Sequence, residues 1–259
     1  EYQELCDYTH GKGLDFTSTP FDYASADYLE PMVDFYKISS SDLTNLPFIK
    51  HIGKKGKPVF LSTGAAYLSE IDEAVRVLRE AGCQDLVLLH CVLSYPTKPE
   101  DANLRMIETL KRVFPDMRVG FSDHVVPDEA MTTLSTAYLL GAEVLEKHFT
   151  LDKKLPGNDH YHAGDPRDFQ KAITNFRKIN TLLGNGEKTV LDCERVSRRE
   201  ARRSLVLTRD MRAGEVIREI DVMAKRPGTG ISPKYMDVVI GKQIKIDLGE
   251  DSVLTWDFL

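Results

Sequence analysis

Two short apolar stretches of the sequence run into histidine. "GFSDH" (120–124) ends on His124, and "EVLEKHF" (143–149) carries His148 near its close. If the two are neighbouring strands, both imidazoles project from one rim and can share a divalent cation. Two nitrogens leave several coordination positions open, which suits Lewis-acid work on a carbonyl better than a structural role. Asp123 is expected at the same centre, either as a ligand or orienting a histidine from behind. The plainer alternative is two unrelated histidines, one hydrogen-bonded in the core and one on a loop.

A second set of residues suits an anion. Lys37 sits in "FYKISS" (35–40), where a lysine is costly to bury unless an anion faces it. A phosphate or carboxylate ligand is therefore expected; a lysine snorkelling to the rim is the alternative. Thr19, Ser40, Ser62 and Ser122 each close an apolar run, and together they can form a ring of hydroxyls for phosphate oxygens. "LPGNDHYH" (155–162) either reaches over the rim to a substrate or is a polar loop. Cys91 follows His90 at the end of a further run. It reads as a buried small hydrophobe rather than a nucleophile, since no separate base is at hand to activate it.

Elements of one kind must position these residues. Six apolar runs recur between residues 14 and 149: "LDFTS", "DFYKIS", "PVFLST", "DLVLLHC", "RVGFSD" and "EVLEKHF". Each has the length of a buried strand. Helical patterns separate them, the clearest being "SEIDEAVRVLREAGC" (69–83), with Ser69 as its expected cap and Gly82 as its stop. This alternation predicts parallel βαβ units. Polar residues gather at the carboxyl end of every run, which favours a (β/α)8 barrel over a doubly wound sheet with a single switch point. Eight strands close such a barrel and six are visible, while residues 1–13 read as the tail of a helix. The expectation is thus a barrel lacking its first two βα units over residues 1–184. A Gly-, Lys- and Arg-rich linker follows over 185–203, and a compact β-rich module over 204–259.

Composition narrows the function classes. The 259 residues are 42% hydrophobic and 29% charged, with a formal net charge of −6. No window offers the roughly 20 uninterrupted apolar residues of a membrane helix, and the acidic balance argues against nucleic acid as a partner. The basic run "RVSRREARRSL" (195–205) reads as a solvated linker or short helix. The four cysteines are widely scattered with no zinc spacing, so reduced thiols in a cytoplasm are expected.

Taken in order, "STPFD", "YKISSSDLTNLP", "GKPVFLSTG", "HCVLSYPT", "GFSDH", "EKHFTLDKKLPGNDH" and "KRPGTGI" resemble the sialic acid synthase family along essentially the whole chain. The resemblance implies a (β/α)8 barrel followed by an antifreeze-protein-like domain that reaches into the partner's active site in a domain-swapped homodimer. It implies condensation of phosphoenolpyruvate with N-acetylmannosamine or a related acylamino sugar, with Mn²⁺ or Mg²⁺ on His124 and His148. It places Lys37, Ser40, Ser62, Thr19 and Ser122 on the carboxylate and phosphate of phosphoenolpyruvate. Lys37, Ser122 and Asp123 then stand at the catalytic centre, Tyr95 and Asp159 on the sugar side, and Arg226 as the arginine delivered by the partner. Asp42 stands where the family usually has Glu, and Leu93 where it usually has Asn or Ser. The family's first two strands, with a glutamate and a second lysine, have no counterpart. Two alternatives stay open: a shortened, inactive homologue that binds metal or sugar phosphate, and an unrelated metal-dependent barrel aldolase.

Overall fold

A computed structural model describes residues 1–259 and divides them into two compact units, Glu1–Gly184 and Asn185–Leu259. The first carries five parallel strands in sequential order: β1 (Tyr36–Ile38), β2 (Val59–Ser62), β3 (Leu86–Cys91), β4 (Arg118–Asp123) and β5 (Leu145–Lys147). Helices alternate with them. α1 (Tyr2–Gly11) and α2 (Tyr23–Leu29) precede the sheet, and α3 (Leu46–Gly53), α4 (Leu68–Glu80), α5 (Met106–Val113) and α6 (Thr132–Leu139) are the crossovers. The 18-residue α7 (Pro166–Leu183) follows β5 and stops at Gly184. No helix is long and apolar enough to cross a membrane.

Strand periodicity sorts the side chains into two faces. Tyr36 and Ile38, Val59 and Leu61, Leu86 and Leu88, and Val119 and Phe121 join Phe48, Ile52, Leu78, Leu110 and Leu134 in one core between sheet and helices. The intervening residues, Lys37, Ser62, Leu89, Cys91, Ser122 and Glu146, therefore share the opposite, inner face. Lys37 and Glu146 lie on the two edge strands, yet the ammonium and carboxylate are 3.7 Å apart. In a flat sheet four strand spacings of about 4.8 Å would hold the strands roughly 19 Å apart. The sheet is thus curled into a half-barrel whose inner face converges.

Two local expectations change. "LDFTS" is not a strand: residues 14–20 run irregularly beside the residues leading into β1. One backbone bond, Asp34 N–H to Phe16 O at 2.8 Å, joins them. Side chains replace the rest of the ladder, with Phe16 N–H donating to the Asp34 carboxylate and Thr17 Oγ1 to Phe35 O. Ser69 does not cap α4 either. The helix begins at Leu68 with Tyr67 as its N-cap, and the Glu70 carboxylate accepts the Tyr67 N–H at 2.7 Å, so the first turn is held by the reciprocal bond of a capping box rather than by a serine hydroxyl. Gly82, at φ +106°, ends that segment as expected.

The second unit is built around an antiparallel pair, β6 (Ser204–Leu207) and β7 (Val222–Lys225), with a core of Leu205, Leu207, Met211, Ile217, Val222, Ile231, Val239, Ile244 and Leu254. Residues 185–203, expected as linker, are exposed throughout but include a short helix, α8 (Arg195–Ala201), and belong to this unit. Arg199 O accepts the Gly228 N–H at 2.7 Å, tying α8 to the turn after β7. Asp221, 1% exposed, is clasped by Arg209 and Arg218. Their hydrogen bonds, Arg218 foremost, hold its carboxyl well below the usual range. Because the folded value lies beneath the unfolded one of about 3.9, the clasp stabilises the unit at neutral pH. That contribution is lost as pH falls below about 4 toward the folded value. Asp221→Asn is expected to lower the urea midpoint at pH 7, with the gap from the unsubstituted protein closing at strongly acid pH.

Candidate active site

The carboxyl ends of β3, β4 and β5 carry Cys91, Asp123 and Lys147 as their last residues, and the residues just beyond fold over the inner face. Two-residue periodicity puts His124 on the same face as Ser122, and His148 on the same face as Glu146. The ring centroids of His124 and His148 are 5.2 Å apart. His124 Nδ1 lies 2.8 Å from the Val92 carbonyl, which can only accept, so Nδ1 carries the proton and the Nε2 lone pair is free for a ligand. Burial lowers the pKa of both histidines, more than the carboxylates around them raise it, so both are neutral at pH 7. Two neutral imidazoles this close fit a divalent cation.

Lys37 and a group of hydroxyls line the same inner face, a cradle that could hold an anion. The Lys37 side chain is 11% exposed, donates to Ile38 O at 3.2 Å and faces Glu146, so it does not snorkel away. Ser122 Oγ donates to Glu146 Oε1 at 2.6 Å. Ser62 Oγ is buried with no partner at all, a cost of about 1–3 kcal/mol unless a ligand or water meets it. Ser40 Oγ accepts the Gly64 N–H at 2.9 Å. A Cβ at Gly64 would stand 2.9 Å from that same oxygen and 3.3 Å from Cys91 Sγ, so only glycine leaves the cradle its room. Cys91 itself is buried and its thiol pKa is raised by that burial, as a structural cysteine requires.

Asp123, expected at the catalytic centre, faces the other way. By the same periodicity it and Lys147, its register partner, point toward the helix layer, where they form an ion pair of 2.9 Å with side chains 2% and 1% exposed. The second Asp123 oxygen accepts the Val125 N–H, and Lys147 also reaches Val125 O. Asp123 braces the strand ends and touches neither histidine's metal side. Asp123→Ala, by leaving a buried ammonium unpaired, is expected to cost about 3–5 kcal/mol in urea unfolding while cation binding at His124 persists.

The remaining residues scatter more widely. The Tyr95 ring tilts over His124 at 4.2 Å, and Tyr161 Oη donates to Tyr95 O at 3.0 Å, so the 155–162 loop does close over the rim. Asp159 Oδ1 comes within 3.6 Å of His148 Nδ1. Thr19 is half-buried in the irregular segment and makes no hydrogen bond to the group. Asp42, half-buried in the turn after β1, accepts from Asn45, and Leu93 is exposed. Arg226 is exposed on the second unit, just after β7. Two residues that the structure places at this site were not among those expected from the sequence. Glu146 was legible as a charge inside an apolar strand, the same signal that marked Lys37. His162 lay in the quoted loop, but nothing local shows that it is fully buried, its ring centroid 4.8 Å from that of His148.

Residues 1–188 match the model of the NeuB family, and residues 202–259 match the SAF domain. The chain belongs to the NeuB family. Among relatives, an uncharacterized protein of Methanocaldococcus jannaschii is 44% identical over all of this chain and 76% of its own length. N,N'-diacetyllegionaminic acid synthase of Legionella pneumophila is 36% identical over 98% of this chain and 72% of its own. The crystal structure of N-acetylneuraminic acid (sialic acid) synthetase from Leptospira borgpetersenii, in complex with citrate, superposes with a TM-score of 0.68 and 33% identity, over 76% of this chain and 69% of that one. Relatives within reach of this family are named as legionaminic acid, pseudaminic acid and N-acetylneuraminate-9-phosphate synthases. The β-rich module of the expected antifreeze-like type is its SAF domain.

Proposed function

We propose that this NeuB-family chain condenses phosphoenolpyruvate with N-acetylmannosamine or a related acylamino sugar and releases phosphate. The observation that carries the reading is the inner-face cradle, with a buried ammonium on Lys37 and an orphaned hydroxyl on Ser62. Ser122 lies two residues from His124, and Glu146 two residues from His148, about 7 Å along each strand. An anionic donor and a carbonyl acceptor are held side by side.

When bound between His124 and His148, a divalent cation supplies Lewis-acid polarisation of the sugar aldehyde. The chain's own groups do the rest. Lys37, Ser40 and Ser62 hold the carboxylate and phosphate of phosphoenolpyruvate and aim its C3 at the aldehyde carbon. The new C–C bond leaves positive charge at C2, water adds there, and phosphate departs with C–O cleavage. Glu146, fixed by Ser122 and Lys37, is placed to accept the proton of that water. Tyr95 and Asp159 border the sugar side, and Arg226 of a second copy completes it in a dimer.

The test is phosphate release by the purified protein with Mn²⁺ and phosphoenolpyruvate, offered N-acetylmannosamine, its 6-phosphate and a diacetamido dideoxy sugar in turn. Release that depends on one of the sugars supports the reading. Ligand binding without sugar-dependent release from any of them would sink it and favour an inactive homologue.

A further inference from the structure

His162 is 0% exposed, and neither ring nitrogen makes a well-formed hydrogen bond, the Asn158 backbone offering only a weak contact. A neutral imidazole carries one N–H and one lone pair, so even with the N–H turned to Asn158 the buried lone pair lacks a partner, at a cost of about 1–3 kcal/mol. Native interiors seldom leave such a group unsatisfied without a ligand, ion or water to meet it. What surrounds it here is a set of metal donors. The ligand atoms of His148, Asp159 and His162 all lie within 4.8 Å of one another. The ring centroids of His124, His148 and His162 are separated by 5.2, 4.8 and 6.5 Å. Imidazoles that bind one ion at about 2.1 Å have centroids roughly 4.5–6.5 Å apart, from right-angled to opposed. All three pairs meet that condition.

We infer that His162 is a third imidazole ligand of the cation, joined by Asp159, and that this donor set selects a borderline transition metal over Mg²⁺. The inference rests on the metal-dependent synthase reading of the same site and deepens it. Three nitrogens and a carboxylate suit Mn²⁺, Fe²⁺, Co²⁺ or Zn²⁺, whereas Mg²⁺ demands oxygen ligands and keeps its waters. The loop that carries His162 is pinned to the rim, by Gly164 N–H to His148 O at 2.8 Å and by Tyr161 to Tyr95. The third ligand thus comes from outside the strands that hold the other two, and its arrival closes the site.

Co²⁺ is the probe, because its visible absorption reports the donors directly and needs no turnover. The unsubstituted protein is expected to bind Co²⁺ and to keep it against about a hundredfold excess of Mg²⁺. His162→Ala is expected to weaken binding by at least about tenfold. Melting temperature should rise more on adding Co²⁺ to the unsubstituted protein than on adding it to the variant, each compared with its own metal-free form. His162→Cys is decisive: a thiolate on the ion adds a sulfur-to-cobalt charge-transfer band that the parent lacks. Unchanged affinity in His162→Ala, or no such band in His162→Cys, overturns the inference. His124→Ala and His148→Ala separate the two levels. If they lose Co²⁺ while the His162 variants keep it, only the third ligand is wrong. If all bind alike, the metal reading of the whole site fails with it.

Discussion

His124→Ala is expected to reduce sugar-dependent phosphate release by about a thousandfold or more, with the fold intact. Loss of several kcal/mol of Lewis-acid stabilisation, at about 1.4 kcal/mol per tenfold, sets that scale. The geometry leaves little room for substitution. Val92 O fixes the tautomer of His124, and Tyr95 packs on its face at 4.2 Å. A truncated residue 124 therefore leaves a lone-pair position that no neighbour can fill. Circular dichroism should show the fold unchanged, because the core residues of β4, Val119 and Phe121, lie on the opposite face. Residual activity within tenfold of the unsubstituted enzyme would mean that the cation does not sit on His124.

Lys37→Met should be the second most damaging change, lowering kcat/KM for phosphoenolpyruvate by about 10²–10³. Two effects combine in it. The donor's charge loses its buried ammonium, and Glu146, 3.7 Å from Nζ in the parent, is left facing the incoming anion alone. The second effect makes a distinctive test: adding Glu146→Gln to Lys37→Met should recover part of the lost phosphoenolpyruvate affinity while depressing kcat. Strict additivity of the two changes would show that Lys37 and Glu146 act independently and that the ion pair is incidental. An unchanged KM in Lys37→Met would remove Lys37 from the donor site.

The two histidines and the lysine were readable because the signals they rest on are local. A charged or imidazole side chain at the end of an apolar run is conspicuous in any strand, and the run supplies its own register. Glu146 carries the same local signal, a charge inside the apolar run "EVLEKHF". Asp123 misled for a related reason: its neighbours Ser122 and His124 both belong to the site, but adjacent strand residues point to opposite faces. The periodicity that puts His124 on the inner face turns Asp123 to the other, where Lys147 of "EKH" is the complementary charge. "LDFTS" has strand composition but no ladder of its own. Asp34 and Thr17 take up the hydrogen bonds instead, a choice made by residues distant in sequence.

What the sequence by itself determined is the alternation of strands and helices, the strand-end positions of Lys37, Ser62, Ser122, His124 and His148, and a separate β-rich module over 204–259. These follow from periods of two and 3.6 residues, set by backbone sterics within a single element. Only the tertiary structure decided that β1 and β5 curl until Lys37 meets Glu146. It also paired Asp123 with Lys147 behind the sheet, and folded the 155–162 loop back to bury His162 beside His148. Strand curl and loop closure depend on packing between segments tens of residues apart, where each contact must repay the chain entropy of bringing them together. No local pattern records that balance.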